Sequence, residues 1–168
     1  MNLQTIDKSV FRVKQRNAFF AFAVCLAILG LAISALFRLW FGNAEGSNTL
    51  INLAGVLTGA AISGVIFSKL RKHSWFDELN YGLQLKRVVL RIQNKKHIWK
   101  EKALAGDQQA ATVMAYYYAG IDQLQFLENN EVGQQDMSNE NKAFQAECTA
   151  AGHSYEFDHT AFDEAWLK

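Results

Sequence analysis

The sequence predicts an all-α membrane protein: a two-helix transmembrane hairpin followed by a small cytoplasmic helical domain. Three observations carry this. Two long apolar runs without charge lie before residue 70, the remaining hundred residues are polar with helical periodicity, and the 168 residues contain no proline. At average usage of roughly 5%, about eight prolines would be expected. Their absence suits long helices, because proline removes a backbone donor and clashes with the preceding turn. Half of the residues are hydrophobic, yet the mean hydropathy is close to zero, as an apolar first part and a polar second part would give.

Residues 1–17 read as a basic cytoplasmic tail, with Lys8, Arg12, Lys14 and Arg16. The first span is expected at 18–40, built on a charge-free run from Asn17 to Phe37, with Arg38 at its outer edge where it can snorkel. The second is expected at 50–68, inside a charge-free run from Gly46 to Ser68. About 20 apolar residues cross a ~30 Å hydrocarbon core as a helix. Two buried helices of a soluble protein would need an amphipathic shell larger than the polar remainder can supply. A cleaved signal peptide would need a shorter apolar core, and the A-x-A at Ala21-Phe22-Ala23 lies near the start of the run rather than after it.

The flanks set the expected orientation. Four positive residues precede the first span, and Lys69, Arg71 and Lys72 follow the second. The intervening loop, 41–49, has no Lys or Arg and one acid, Glu45. The positive-inside rule puts both ends in the cytoplasm and the loop in the periplasm. Trp40 and Phe41 suit an interfacial aromatic belt, and Gly42-Asn43 and Gly46-Ser47-Asn48 suit the turn.

The second span carries a small-residue face. Gly55 and Gly59 form a GxxxG, Ser63 extends it, and Ala60 and Gly64 repeat the spacing beside it. The first span offers Ala23, Ala27, Gly30 and Ser34. Small residues four apart let helices approach closely in lipid. The face Gly55, Gly59, Ser63, Gly64 serves either packing of the two spans within one hairpin or a homo-oligomer. No Asp, Glu, Lys, Arg or His lies inside either run, which argues against a proton-coupled transporter.

The cytoplasmic domain is expected at 69–168. One helix is expected from Trp75 to Leu104, with Leu85, Val88, Val89, Ile92 and Trp99 on one face and Gly106 as its stop. A second follows the cap residue Asp107, with Ala110, Val113, Met114, Tyr117, Ile121, Leu124 and Leu127 at helical spacing. Tyr116, Tyr117 and Tyr118 point in three directions around it, so only part of the triplet is expected in the core. Residues 129–137 read as a loop. A third helix is expected over 139–151, with Phe144, Cys148 and Ala151 on one side and Gly152 as its stop. A last short helix is expected from Thr160, with Asp163 in a capping box and Phe162 stacked on Trp166.

Charge is segregated. Residues 1–72 carry a balance of +6 and residues 73–168 one of −5. Within the second part, 86–102 holds seven positives and one acid, and eleven acids follow. Arg87, Arg91, Lys95 and Lys102 line one face and are expected to contact lipid headgroups or an acidic partner. The acidic neighbourhood disfavours nucleic acid. Cys25 and Cys148 read as reduced thiols. Cys148, His153, Glu156, Asp158 and His159 gather potential ligands, but in no zinc-finger spacing. No Walker A, G-x-G-x-x-G, H-E-x-x-H, G-x-S-x-G or C-x-x-C is present, so no catalytic residue, cofactor or metal is expected.

Ile6-Asp7-Lys8 with Phe11-Arg12, Asn52-Leu53-Ala54-Gly55-Val56 and the Tyr116-Tyr117-Tyr118 helix carry a further likeness. On these the chain resembles a family of uncharacterised gammaproteobacterial two-span inner-membrane proteins, a domain of unknown function. The resemblance implies a bacterial inner membrane and no site residue. The expected role is a non-enzymatic membrane-anchored interaction or regulatory protein that meets lipid and a cytoplasmic partner or another copy. The alternative is a small oligomeric channel or carrier built from repeated hairpins.

Overall fold

The computed structural model describes residues 2–43, 46–153 and 155–167. Their regular structure is helical throughout: α1 (Lys8–Phe41), α2 (Thr49–Leu70), α3 (Asp77–Asn94), α4 (Lys96–Leu104), α5 (Gln108–Glu128) and α6 (Glu131–Ala150), with short 3₁₀ turns at Ser74–Phe76, His159–Ala161 and Glu164–Leu167. The chain forms two compact units, residues 13–80 and residues 1–12 with 81–168. Helices α1 and α3 each contribute to both.

The unit 13–80 is a helical hairpin. α1 and α2 are each long and apolar enough to cross a membrane. Asn43 and Asn48 close the loop reciprocally: Asn43 N donates to Asn48 Oδ1 (2.8 Å) and Asn48 Nδ2 donates to Asn43 O (3.1 Å). Glu45, the acid expected there, lies outside the described residues. α1 begins at Lys8 rather than near residue 18, so much of the expected basic tail is helix. Asp7 starts it, its Oδ1 accepting from Ser9 N (2.7 Å) and Val10 N (3.2 Å). Such caps satisfy backbone donors that the first turn leaves unpaired. After α2, Arg71 and Asn80 bond each other, and His73 Nδ1 accepts from Trp75 N (3.2 Å). Lys14 Nζ pairs with Glu78 Oε2 at 2.5 Å and stands over the Trp75 ring. That ammonium holds the Glu78 carboxyl below its ordinary range.

The second unit is a bundle centred on α5. Every residue from Ala110 to Tyr118 is buried, as happens when a helix is covered all round. α3 and α4 cover one side, α6 another, and the C-terminal segment the rest. The whole tyrosine triplet is therefore core, contrary to the sequence expectation. Its three directions are all covered: Phe162 stacks on Tyr116 (centroids 3.9 Å), Lys96 lies over Tyr117 (5.1 Å), and Phe144 packs on Tyr118 (5.9 Å).

Four further expectations are corrected. The helix expected over 75–104 is divided at Lys95 (φ −118°, ψ 18°), where Lys95 N turns back to Ile92 O (3.0 Å). The break lets α4 pack on α6 as well as α5, bringing Lys96 and Lys100 to Glu140 and Glu147. Residues 129–137 are not a loop. Asn129 takes the left-handed conformation (φ 61°), Asn130 N reaches back to Gln125 O (2.9 Å), and Asn130 Oδ1 then caps α6 by accepting from Gly133 N (3.0 Å). Two asparagines thus end one helix and start the next, which a polar stretch does not advertise. The last helix is instead two 3₁₀ turns separated by Phe162 in extended conformation (ψ 128°). Asp158 caps the first turn and Asp163 the second, and Phe162 meets Trp166 edge-on (85°) rather than stacked. Ala151, expected beside Cys148 on the inner side, is exposed. The expected stops at Gly106 and Gly152 both stand at positive φ (102° and 86°), where only glycine is unstrained.

Candidate interaction surfaces

The glycine face of α2 meets α1 of the same chain. A Cβ on Gly59 would fall 2.7 Å from the Gly30 Cα, and one on Gly55 would collide with the Ser34 backbone. Ser63 is fully buried, its Oγ donating to Gly59 O (2.8 Å) and lying 3.8 Å from Cys25 Sγ. Gly64 stands apart: it is exposed, and a Cβ there would touch nothing within 4 Å. The structure thus brings Gly55, Gly59 and Ser63 together against α1 and leaves Gly64 outside.

The N-terminal segment is clasped to the bundle. Gln4 N donates to Tyr81 Oη (2.9 Å), Tyr81 Oη donates to Gln123 Oε1 (2.7 Å), and Gln123 Nε2 donates to Gln4 O. Leu3 and Ile6 pack on the core, and the Phe11 ring fills the space over Gly82, where a Cβ would meet it at 2.9 Å. Sequence reading missed this clasp, since a tyrosine and two glutamines 42 and 119 residues apart carry no local signal.

The basic residues divide by partner. Of the four expected to share a surface, Arg91 meets the acidic tail of its own chain: its guanidinium donates to Glu164 Oε1 (2.7 Å) and to Leu167 O (3.4 Å). Lys102 stands over the Trp99 ring (5.4 Å), and Arg87 and Lys95 are exposed without an ion pair among the described residues. The cations that tie helices together are others. Lys96 pairs with Glu140 while lying over two tyrosine rings, and Lys100 pairs with Glu147 at 2.7 Å. Lys86 meets Glu128 at 3.4 Å on the surface.

The 148–159 group does not converge. No set of three His, Cys, Asp or Glu side chains placed to hold a metal occurs among the described residues. Cys148 is buried in the core, and burial pushes its thiol up. His153 instead stacks on Tyr155, whose hydroxyl donates to Ala103 O. A cleft of about 310 Å³ opens between α5, α6 and the tail, lined in part by Tyr118, Asp122, Asn141, Gln145, Phe157 and His159. Ser138 also borders it, with no hydrogen bond to His159 among the described residues. Its lining offers a carboxylate, amides, two hydroxyls and an imidazole.

Hairpin and bundle together define a class: all-α proteins that join two helices of membrane-spanning length and composition to a helical bundle. The family model described as a protein of unknown function (DUF3087) matches residues 1–167, and the chain belongs to that family. No curated protein and no solved structure matches it.

Proposed function

We propose that this is a membrane-anchored interaction protein without chemistry of its own. Its hairpin crosses a bacterial inner membrane twice and holds the bundle at the cytoplasmic face. The observation that carries the reading is the clasp of Gln4, Tyr81 and Gln123. A segment preceding α1 and a domain following α2 belong to one compact unit, which supports an even number of crossings with both ends on one side. The basic flanks, Lys8 to Arg16 and Lys69 to Lys72, favour the cytoplasm for that side. The resemblance described above favours the inner membrane. In the bundle, the paired cations and buried tyrosines serve contacts between helices, which supports a scaffold for partners.

Crosslinking in intact membranes tests this. The expected result is a covalent adduct with a second copy or another protein through the bundle, from a chain that stays with the membrane after alkaline washing. Recovery of monomer alone, or release by the wash, would overturn the proposal.

A further inference from the structure

One exposed surface of the bundle carries both signs of charge in separate halves. On the outer face of α3, Leu83, Arg87 and Leu90 follow at i, i+4 and i+7, with Lys86 beside them. Leu83 and Leu90 are 44% and 46% exposed, and Arg87 has no ion pair among the described residues. No acid occurs between Leu83 and Lys100. The second half lies at the turn from α5 to α6, where Glu128, Glu131 and Asp136 are exposed around Val132. Val132 is 75% exposed, more than Leu83, Leu90, Ile98 or Phe126. It shares a helix face with Asp136, at i and i+4. The halves adjoin where Lys86 meets Glu128 at 3.4 Å.

Adjacent patches of opposite sign are self-complementary under a two-fold rotation, because each patch of one copy then covers the other patch of its mate. Copies inserted in a membrane in one orientation admit a two-fold only along the membrane normal. The tightest glycine contacts of α2 are already made with α1 of the same chain. We propose that the chain forms a two-fold dimer in which the Leu83–Arg87–Leu90 face of one copy covers the Glu131–Val132–Asp136 corner of the other. Apolar side chains meet at the centre and charges pair around them, the usual anatomy of an association surface. This rests on the membrane-anchored reading and names the partner within it as a second copy.

The test measures the mass of the full chain in mild detergent over a concentration series. Wild type is expected to be a dimer. Arg87→Glu and Asp136→Lys each place like charges together twice per dimer, and each is expected to raise the dissociation constant at least ~10-fold. Combining both in one chain restores opposite signs and is expected to return the constant to within about threefold of wild type. Leu90→Ser provides a neutral variant that also weakens the dimer, and an unchanged far-ultraviolet helix signal shows that each variant is folded. The proposal is overturned by a monomeric wild type, by a dimer that neither single reversal weakens, or by a double variant no tighter than the singles. A monomer that still crosslinks to another protein in membranes would sink this inference and leave the membrane-anchored reading standing. A chain that leaves the membrane on washing would remove that reading first.

Discussion

Gly59 of α2 lies against Gly30 of α1 so closely that a Cβ on Gly59 would stand 2.7 Å from the Gly30 Cα and nitrogen. Both obstacles are backbone, which cannot rotate away as a side-chain tip can. Gly59→Ala is therefore expected to push the two helices apart and cost ~1–3 kcal/mol, the usual range for overpacking. Gly64→Ala meets open space and is expected to be neutral. Maleimide labelling of Cys25, whose sulfur lies against Ser63, reads the separation. Faster labelling in Gly59→Ala than in Gly64→Ala is expected. Equal rates would show that the two helices do not meet at these glycines.

Two buried tyrosines make opposite predictions for one substitution. The Tyr81 hydroxyl both accepts and donates in the N-terminal clasp, so Tyr81→Phe leaves Gln4 N and Gln123 without that partner. A loss of roughly 1–2 kcal/mol is expected. The Tyr116 hydroxyl is buried with no hydrogen-bond partner among the described residues. Tyr116→Phe removes that uncompensated group while keeping the ring stacked on Phe162, and is expected to be neutral or to gain up to ~1 kcal/mol. Denaturant unfolding followed by far-ultraviolet circular dichroism compares them. A Tyr116→Phe loss as large as that of Tyr81→Phe would mean that the hydroxyl has a partner after all.

What the sequence made legible and what it hid follow from the range of the interactions. The two long apolar helices depend on composition over about 20 residues, and the glycine stops on a single conformational property, so both could be read locally. The inner face of α3 was legible for the same reason: Leu85, Val88, Val89 and Ile92 repeat with the helical period and are buried. The tyrosine triplet was not. Periodicity assumes one covered face, whereas residues 110–118 of α5 are wrapped on all sides by segments as distant as Phe162. The asparagine-capped turn at 129–130 was hidden because polar residues serve loops and caps alike. Among the basic residues, sequence spacing drew attention to Arg87, Arg91, Lys95 and Lys102. It could not separate them from Lys96 and Lys100, whose acidic partners lie 44 and 47 positions away.

Neighbouring lysines make that distinction measurable. The Lys96 ammonium lies 5.1 Å and 5.7 Å from the Tyr117 and Tyr118 ring centroids and pairs with Glu140. The ion pair is partly exposed and worth at most ~1 kcal/mol after solvent screening. The cation–ring contacts add ~0.5–1 kcal/mol. Lys96→Ala is expected to cost about 1–2 kcal/mol, and Lys95→Ala less than about 0.5 kcal/mol. Parallel thermal unfolding of the two variants checks this, and equal midpoints would remove Lys96 from the bundle's stabilising contacts.

The five tyrosines give the bundle an alkaline limit. Tyr81, Tyr116, Tyr117, Tyr118 and Tyr155 all have hydroxyls pushed above their ordinary value, in each case chiefly by burial, which disfavours phenolate. The sign follows from linkage. Below about pH 10 the tyrosines are protonated in folded and unfolded chains alike, so the folded state keeps its full stability. Above that value the unfolded chain loses protons that the folded chain retains, and stability falls by up to ~1.4 kcal/mol per pH unit for each tyrosine. The losses add over the tyrosines that stay protonated in the folded chain, so the fall in stability steepens with their number. Phenolate absorbance and the loss of helix ellipticity should therefore rise together, in one cooperative step displaced above pH ~10. Replacing Tyr118 with Phe should move that step to higher pH, since one proton fewer drives it. Gradual phenolate formation near the ordinary value with the helix signal intact would show that the triplet is open to water, contrary to its burial around α5.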